Sequence, residues 1–203
     1  VVPSLRAEAA WLALTQQDIC SELVRREPAS LIANGDPASL PLNVRRDLLL
    51  QFANLHQNGH ISDDRLDHRA LCLFSRGDLA DAVITAWGCN TRHHFRIYAL
   101  RIVREGKLAG CKALWRQILE QPQAGATKRD YLQCVALEAA SACGDVDALE
   151  KCAATLASNP GEFNEVTAAH LVEVLAVGAI LTAVVEAGTV VAGGSPWVRP
   201  LRH

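Results

Sequence analysis

The sequence has no methionine, and only 5% of its 203 residues are aromatic. Half of the residues are hydrophobic, with Ala, Leu and Val carrying that load, which favours packed helices over a β-sandwich. A chain of this length that opens Val1-Val2-Pro3 and contains no Met is expected to be a piece of a larger protein, or a sequence from which Met positions are absent. In the second case the spacings below are each short by a residue. Uncharged apolar runs fall short of the about 18 residues that a spanning helix needs. The longest, Val174 to Val185, ends at Glu186. A cationic, then apolar, then small-residue leader is also missing from the start, so no membrane partner is expected. With 21% charged residues the composition is that of a globular chain, not a disordered one. There is no C-x-x-C pair among the seven cysteines, which excludes a zinc ribbon or a thioredoxin-type motif. An odd number of thiols set in helical patterns reads as reduced cysteines of a cytoplasmic protein rather than a disulfide framework.

What is present is a succession of helical patterns. Residues from Leu5 to Val24 read as two short helices parted near Thr15, followed by turn signals at Asn34-Gly35 and Asp36-Pro37. The next helix places Val44, Leu48, Leu49, Phe52 and Leu55 on one face and Arg45, Arg46 and Gln51 on the other, and stops at Asn58-Gly59. A weak repeat then begins. Ala70-Leu71, Ala99-Leu100 and Ala136-Leu137 each precede a glycine break, at Gly77, Gly106 and Gly144. Second helices follow, carrying Leu79, Val83 and Ile84, then Leu108, Cys111, Trp115 and Ile118, then Val146, Leu149, Ala153 and Leu156. Two of these units stop at Pro122 and Pro160. The glycines supply left-handed helix ends, and the small alanines admit close neighbours.

One such hairpin leaves an apolar face uncovered, so hairpins stack. The expected fold is all-α: a right-handed α-solenoid of HEAT-like helical hairpins over residues 1–160. A less regular C-terminal segment, 161–203, would form a helical cap with Leu171, Val174 and Leu175 inward, then a loose tail. A non-repetitive helical bundle would give similar patterns.

Several stretches resemble the helical region that follows the ATPase module in large bacterial NACHT-type (STAND) NTPases. They are Trp11-Leu-Ala-Leu, Glu27-Pro-Ala-Ser-Leu-Ile, Gly35-Asp36, Leu40-Pro41 and Arg45-Arg46-Asp47-Leu48-Leu49, with Arg96-Ile-Tyr-Ala-Leu-Arg-Ile-Val-Arg-Glu-Gly-Lys-Leu, Arg129-Asp-Tyr-Leu-Gln-Cys-Val-Ala-Leu-Glu-Ala and Gly144-Asp-Val-Asp-Ala-Leu. The resemblance spans about residues 5 to 160. It implies a sensor or scaffold that binds a trigger or neighbouring subunits and regulates the attached NTPase, in some members in antiviral defence. The sequence departs from a whole NTPase in having no G-x-x-x-x-G-K-[ST] loop and no apolar strand ending in an acidic pair. No nucleotide-binding residue, cofactor or catalytic role therefore carries over, and the chain is expected not to be an enzyme.

Two clusters bear on metal chemistry. His56, His60, Asp63, Asp64, Asp67 and His68 are dense, but Asn58-Gly59 breaks the helix between the first two, and a solvated loop with Ser62 or Asp63 as N-cap is the expectation. Cys89, His93, His94 and Cys111 match no zinc spacing, and adjacent histidines diverge by about 100° on a helix. A small metallo-enzyme built on the first cluster is the third reading kept open; no metal site is expected.

Charge is more informative. Residues 91–129 hold nine Lys or Arg against two acidic residues, whereas residues 130–203 hold three against nine. Arg92, Arg96, Arg101, Arg104, Lys107, Lys112 and Arg116 are the expected partner-binding residues, continued by Lys128 and Arg129. Such a block meets an acidic protein partner or adjacent domain, pairs with the acidic C-terminal segment, or lies solvated. The alternative is a helical-repeat protein that grips nucleic acid through residues 92–129. Against that, the block lacks interleaved exposed aromatics, because Tyr98 and Trp115 are expected to face the core.

Overall fold

The computed structural model describes residues 3–60, 66–120, 127–159, 163 and 165–187, and of these only the backbone at 3, 127–130 and 178–187. Among them are eleven α-helices and no strand, so the chain is all-α. Helices α1 (Arg6–Leu12), α2 (Gln17–Arg26) and α3 (Pro28–Asn34) open the chain. The first break falls at residues 13–16, as the pattern near Thr15 indicates, and Pro28 starts α3 at a position where its missing N–H costs nothing. Next come α4 (Leu42–Gln57), α5 (His68–Phe74), α6 (Ala80–Cys89) and α7 (His93–Gly106). The remainder is α8 (Lys112–Leu119), α9 (Thr127–Ala142), α10 (Val146–Ser158) and α11 (Glu165–Ala187).

Packing follows chain order in two rows. In one, α3, α5, α7, α9 and α11 each lie against the next. In the other, α2 packs on α4, α4 on α6, α6 on the turn that leads into α8, and α8 on α10. The row-to-row contacts join near neighbours, such as α6 with α7 and α8 with α9. From α4 onward the side-chain hydrogen bonds between helices link residues 29 to 37 apart in sequence, close to the length of one helical pair. The described apolar side chains form one continuous core, in which Ala70, Ala99 and Ala136 are buried where helices meet. Helix α9 is enclosed by α7, α8, α10 and α11, and residues 132–137 are all buried. Residues 132–137 are buried around the whole circumference, and that stretch therefore shows little amphipathic signal.

The glycine breaks divide into two kinds. Gly77 and Gly144 take left-handed backbone, with φ of 77° and 69°. Gly106 does not: it is the last residue of α7, and Lys107 adopts the left-handed conformation at φ 48°. A Cβ on Gly106 would stand 2.7 Å from the Ser75 carbonyl oxygen, so glycine is needed there for close approach of α5 and not for a positive φ.

Arg45 corrects the expected polar face of α4. It is buried, and its Nη1 donates to the carbonyls of Phe74, at 3.3 Å, and of Arg76. The Phe74 carbonyl ends α5 and that of Arg76 lies just beyond it, where no intrahelical donor remains, so a guanidinium from the neighbouring pair satisfies them. Ile84 and Val146 are exposed rather than core. Leu171 and Val174 are buried on α11, as the periodicity requires. Ser62, Asp63, Asp64, Pro122, Pro160 and the tail from 188 onward, and the side chains of Lys128, Arg129 and Ile180 to Val185, lie outside the described residues. No helix among the described residues is long and apolar enough to cross a membrane.

Candidate functional site

A groove of about 930 Å³ runs along the row of α5, α7 and α9. Leu66, Asp67, His68 and Leu71 form one wall; His93, His94, Ile97, Tyr98, Arg101 and Arg104 on α7 form the floor; and Tyr131 on α9 closes the far side. Heptad-like spacing on α7 puts these six side chains on one flank while Phe95, Ala99, Leu100, Ile102 and Val103 fill the core. Asp67 fixes the near wall, because its carboxylate accepts the Ala70 N–H at 2.7 Å and caps α5.

Tyr131 is 48% exposed, and the Arg101 guanidinium lies 5.7 Å from its ring centroid and donates to its hydroxyl. Among the described residues Arg101 meets this ring and no carboxylate. Arg104 behaves differently. It pairs with Glu105 at 2.6 Å and with Glu138 on α9, and His170 on α11 approaches the other Glu138 oxygen at 3.3 Å. Beside this network Cys72 donates to Glu105 Oε2 at 2.9 Å, and His68 Nδ1 lies 3.4 Å from Glu105 Oε1. Burial works to raise the Glu105 carboxyl, but hydrogen bonds from Cys72 and Arg104 outweigh it and hold the group below the ordinary range. The same bond to Glu105 pushes the Cys72 thiol up.

The other basic residues do not share this groove. Arg92 donates to the Gln57 carbonyl at 3.3 Å. The Arg96 guanidinium lies over the Trp87 ring at 4.9 Å. Lys107 is exposed at the end of α7. Lys112 and Arg116 on α8 converge on Asp145 at 3.2 and 2.7 Å, and Arg116 reaches Asp147 at 3.6 Å. Asp145 also accepts Trp115 Nε1. These bonds, Arg116 first, depress its carboxyl far below the usual range. Of the seven basic residues, Arg101 and Arg104 alone therefore lie on the groove. Three of the seven, Arg104, Lys112 and Arg116, are paired with acidic residues from 130 onward or close by.

Among the described residues, the members of the two sequence clusters fall in different surroundings. His56 is buried edge-on against Phe52, with ring centroids 4.5 Å apart, while His60 is exposed at the helix end. Cys111 is buried against the Ala80 carbonyl, away from exposed Cys89. Tyr98 is half-buried on the groove floor, whereas Trp115 is buried in the core as expected. Tyr131, Cys72 and Glu105 were not legible as site residues one by one. The signal that could have found them was spacing: Cys72 follows His68 by one helical turn, and Glu105 follows Cys72 by 33 residues, about one repeat.

Comparison with protein-family models, curated proteins and solved structures finds no match to this chain.

Proposed function

We propose that the chain is a non-catalytic α-solenoid interaction module, the sensor or scaffold arm of a larger NACHT-type NTPase, and that it holds an acidic segment of a protein partner in the α5–α7–α9 groove. The observation that carries the binding reading is the pairing of Arg101 with exposed Tyr131 on that groove. It sets a cation without a carboxylate partner among the described residues beside an aromatic ring and apolar Leu66, Leu71 and Ile97. Aromatic and arginine side chains are the residues that anchor protein interfaces, through large contact area and directed hydrogen bonds. The succession of helical pairs, each packed on the next, supports the solenoid, and such stacks bind through extended surfaces built by consecutive repeats.

Nucleic acid is the weaker reading. Gripping phosphates requires cations free to replace condensed counterions. Arg104, Lys112 and Arg116 are already compensated by Glu105, Glu138, Asp145 and Asp147.

The test is a random-peptide display library panned on the chain and on Arg101→Glu. Acidic peptides should enrich on the parent and lose affinity by about 10-fold or more on the variant, the scale of one interface hot spot. Enrichment that is indifferent to the substitution, or retention of duplex DNA with a steep salt dependence, overturns the peptide reading.

A further inference from the structure

We propose that His68, Cys72 and Glu105 form a binding site for one zinc ion at the edge of the groove. One ligand atom from each residue lies within 4.8 Å of the others, the only such trio of potential ligands among the described residues. The arrangement follows from the fold. His68 opens α5 and Cys72 comes one turn later on the same face, so their side chains are neighbours. Glu105, in the last turn of α7, is brought over them by the packing of α5 on α7.

The spacing fits the ion. Tetrahedral zinc, with bonds of about 2.0–2.3 Å, separates its donor atoms by about 3.3–3.6 Å. Here Cys72 Sγ and His68 Nδ1 are 3.8 Å apart, and His68 Nδ1 and Glu105 Oε1 are 3.4 Å apart. Cys72 Sγ meets the other oxygen of the same carboxylate, Glu105 Oε2, at 2.9 Å because the thiol proton bridges them. Binding expels that proton to solvent, the thiolate takes its place as a zinc ligand, and one oxygen of the carboxylate turns to the ion. A thiolate, an imidazole and a carboxylate together suit zinc and not magnesium or calcium, which take oxygen ligands. Arg104 supplies the outer support. It holds Glu105 at 2.6 Å and is itself tied to Glu138, which fixes the carboxylate's orientation. Three protein ligands leave a fourth position. The His68 side chain is 70% exposed on the groove wall, so that position faces solvent and takes water.

The test uses the full chain, reduced and stripped of metal. Cobalt(II) is titrated first, for its thiolate charge-transfer absorption, and zinc then displaces it. We expect one equivalent bound, with zinc slowing alkylation of Cys72 by iodoacetamide in peptide maps while Cys89 reacts unchanged. Cys72→Ser, His68→Ala and Glu105→Gln should each weaken binding by about 10-fold or more, at least the cost of losing an outer-shell partner. The proposal is overturned by an absent thiolate band, by a band that survives both Cys72→Ser and His68→Ala, or by Cys72 alkylation that zinc does not slow. If Cys72→Ser does not fold, the exposed His68→Ala and the protection of Cys72 in the parent chain decide the matter.

Discussion

Trp115 Nε1 donates to Asp145 Oδ2 at 2.8 Å, joining two helical pairs through residues 30 apart in sequence. Both partners are buried, and Arg116 binds the same carboxylate through both of its oxygens, at 2.7 and 2.9 Å. Asp145 precedes α10, so one side chain ends a turn and staples it to α8.

Asp145→Ala should destabilise the fold by about 2–3 kcal/mol, because the buried Trp115 N–H loses its acceptor, Lys112 loses its carboxylate and Arg116 keeps only the longer contact to Asp147. The pH dependence has a definite sign. Asp145 has a depressed native pKa, so its contribution is complete above the unfolded value of about 3.9 and is lost as pH falls towards the native one. Urea midpoints of Asp145→Asn should therefore fall less between neutral and acidic pH than those of the parent. Equal slopes for the two proteins would show that the carboxylate is not the linked group.

Gly106 and Gly88 make a matched pair. Gly106→Ala places a methyl 2.7 Å from a backbone oxygen and should cost about 1–3 kcal/mol, as overpacking does. Gly88 lies in α6 with nothing within 4 Å of where a methyl group would stand, so Gly88→Ala should stabilise by about 0.5–1 kcal/mol. Thermal unfolding of both variants checks the contrast.

Asn90 is fully buried between α6 and α7. Its amide donates to the Ala53 carbonyl at 2.5 Å, and its side-chain oxygen accepts the Arg92 N–H at 2.8 Å. Asn90→Ala leaves both groups without that partner and should cost about 1–3 kcal/mol in chemical denaturation. Asn90→Asp keeps the acceptor and loses the donor, so it should separate the two bonds.

The thiols should divide by burial. Cys111 is pushed up to about 12 by burial, and Cys20, Cys143 and Cys152 are raised for the same reason. Native alkylation at mildly alkaline pH should label exposed Cys89 first, half-buried Cys72 slowly and Cys111 only on unfolding. Rapid labelling of Cys111 would mean that the α6–α8 contact opens readily.

The helical content, the break near Thr15 and the inward placement of Trp115 and Ile118 on α8 and of Leu171 and Val174 on α11 were legible in the sequence, because a 3.6-residue period records which side of a helix is buried. The charge segregation was legible as well: nine basic residues in 91–129 precede an acidic segment, and Arg104, Lys112 and Arg116 do pair with carboxylates that follow them. Periodicity gave less for α9, whose residues 132–137 are buried on every side, and misplaced Arg45, whose buried guanidinium answers carbonyls 29 and 31 residues away. The tertiary structure alone decided which cations face the groove, that Gly106 serves close packing while Lys107 turns the chain, and that His68, Cys72 and Glu105 meet. The physical reason is common to all three. A local pattern fixes the direction of a side chain about its own helix axis, whereas the partner it reaches depends on how consecutive helical pairs are stacked.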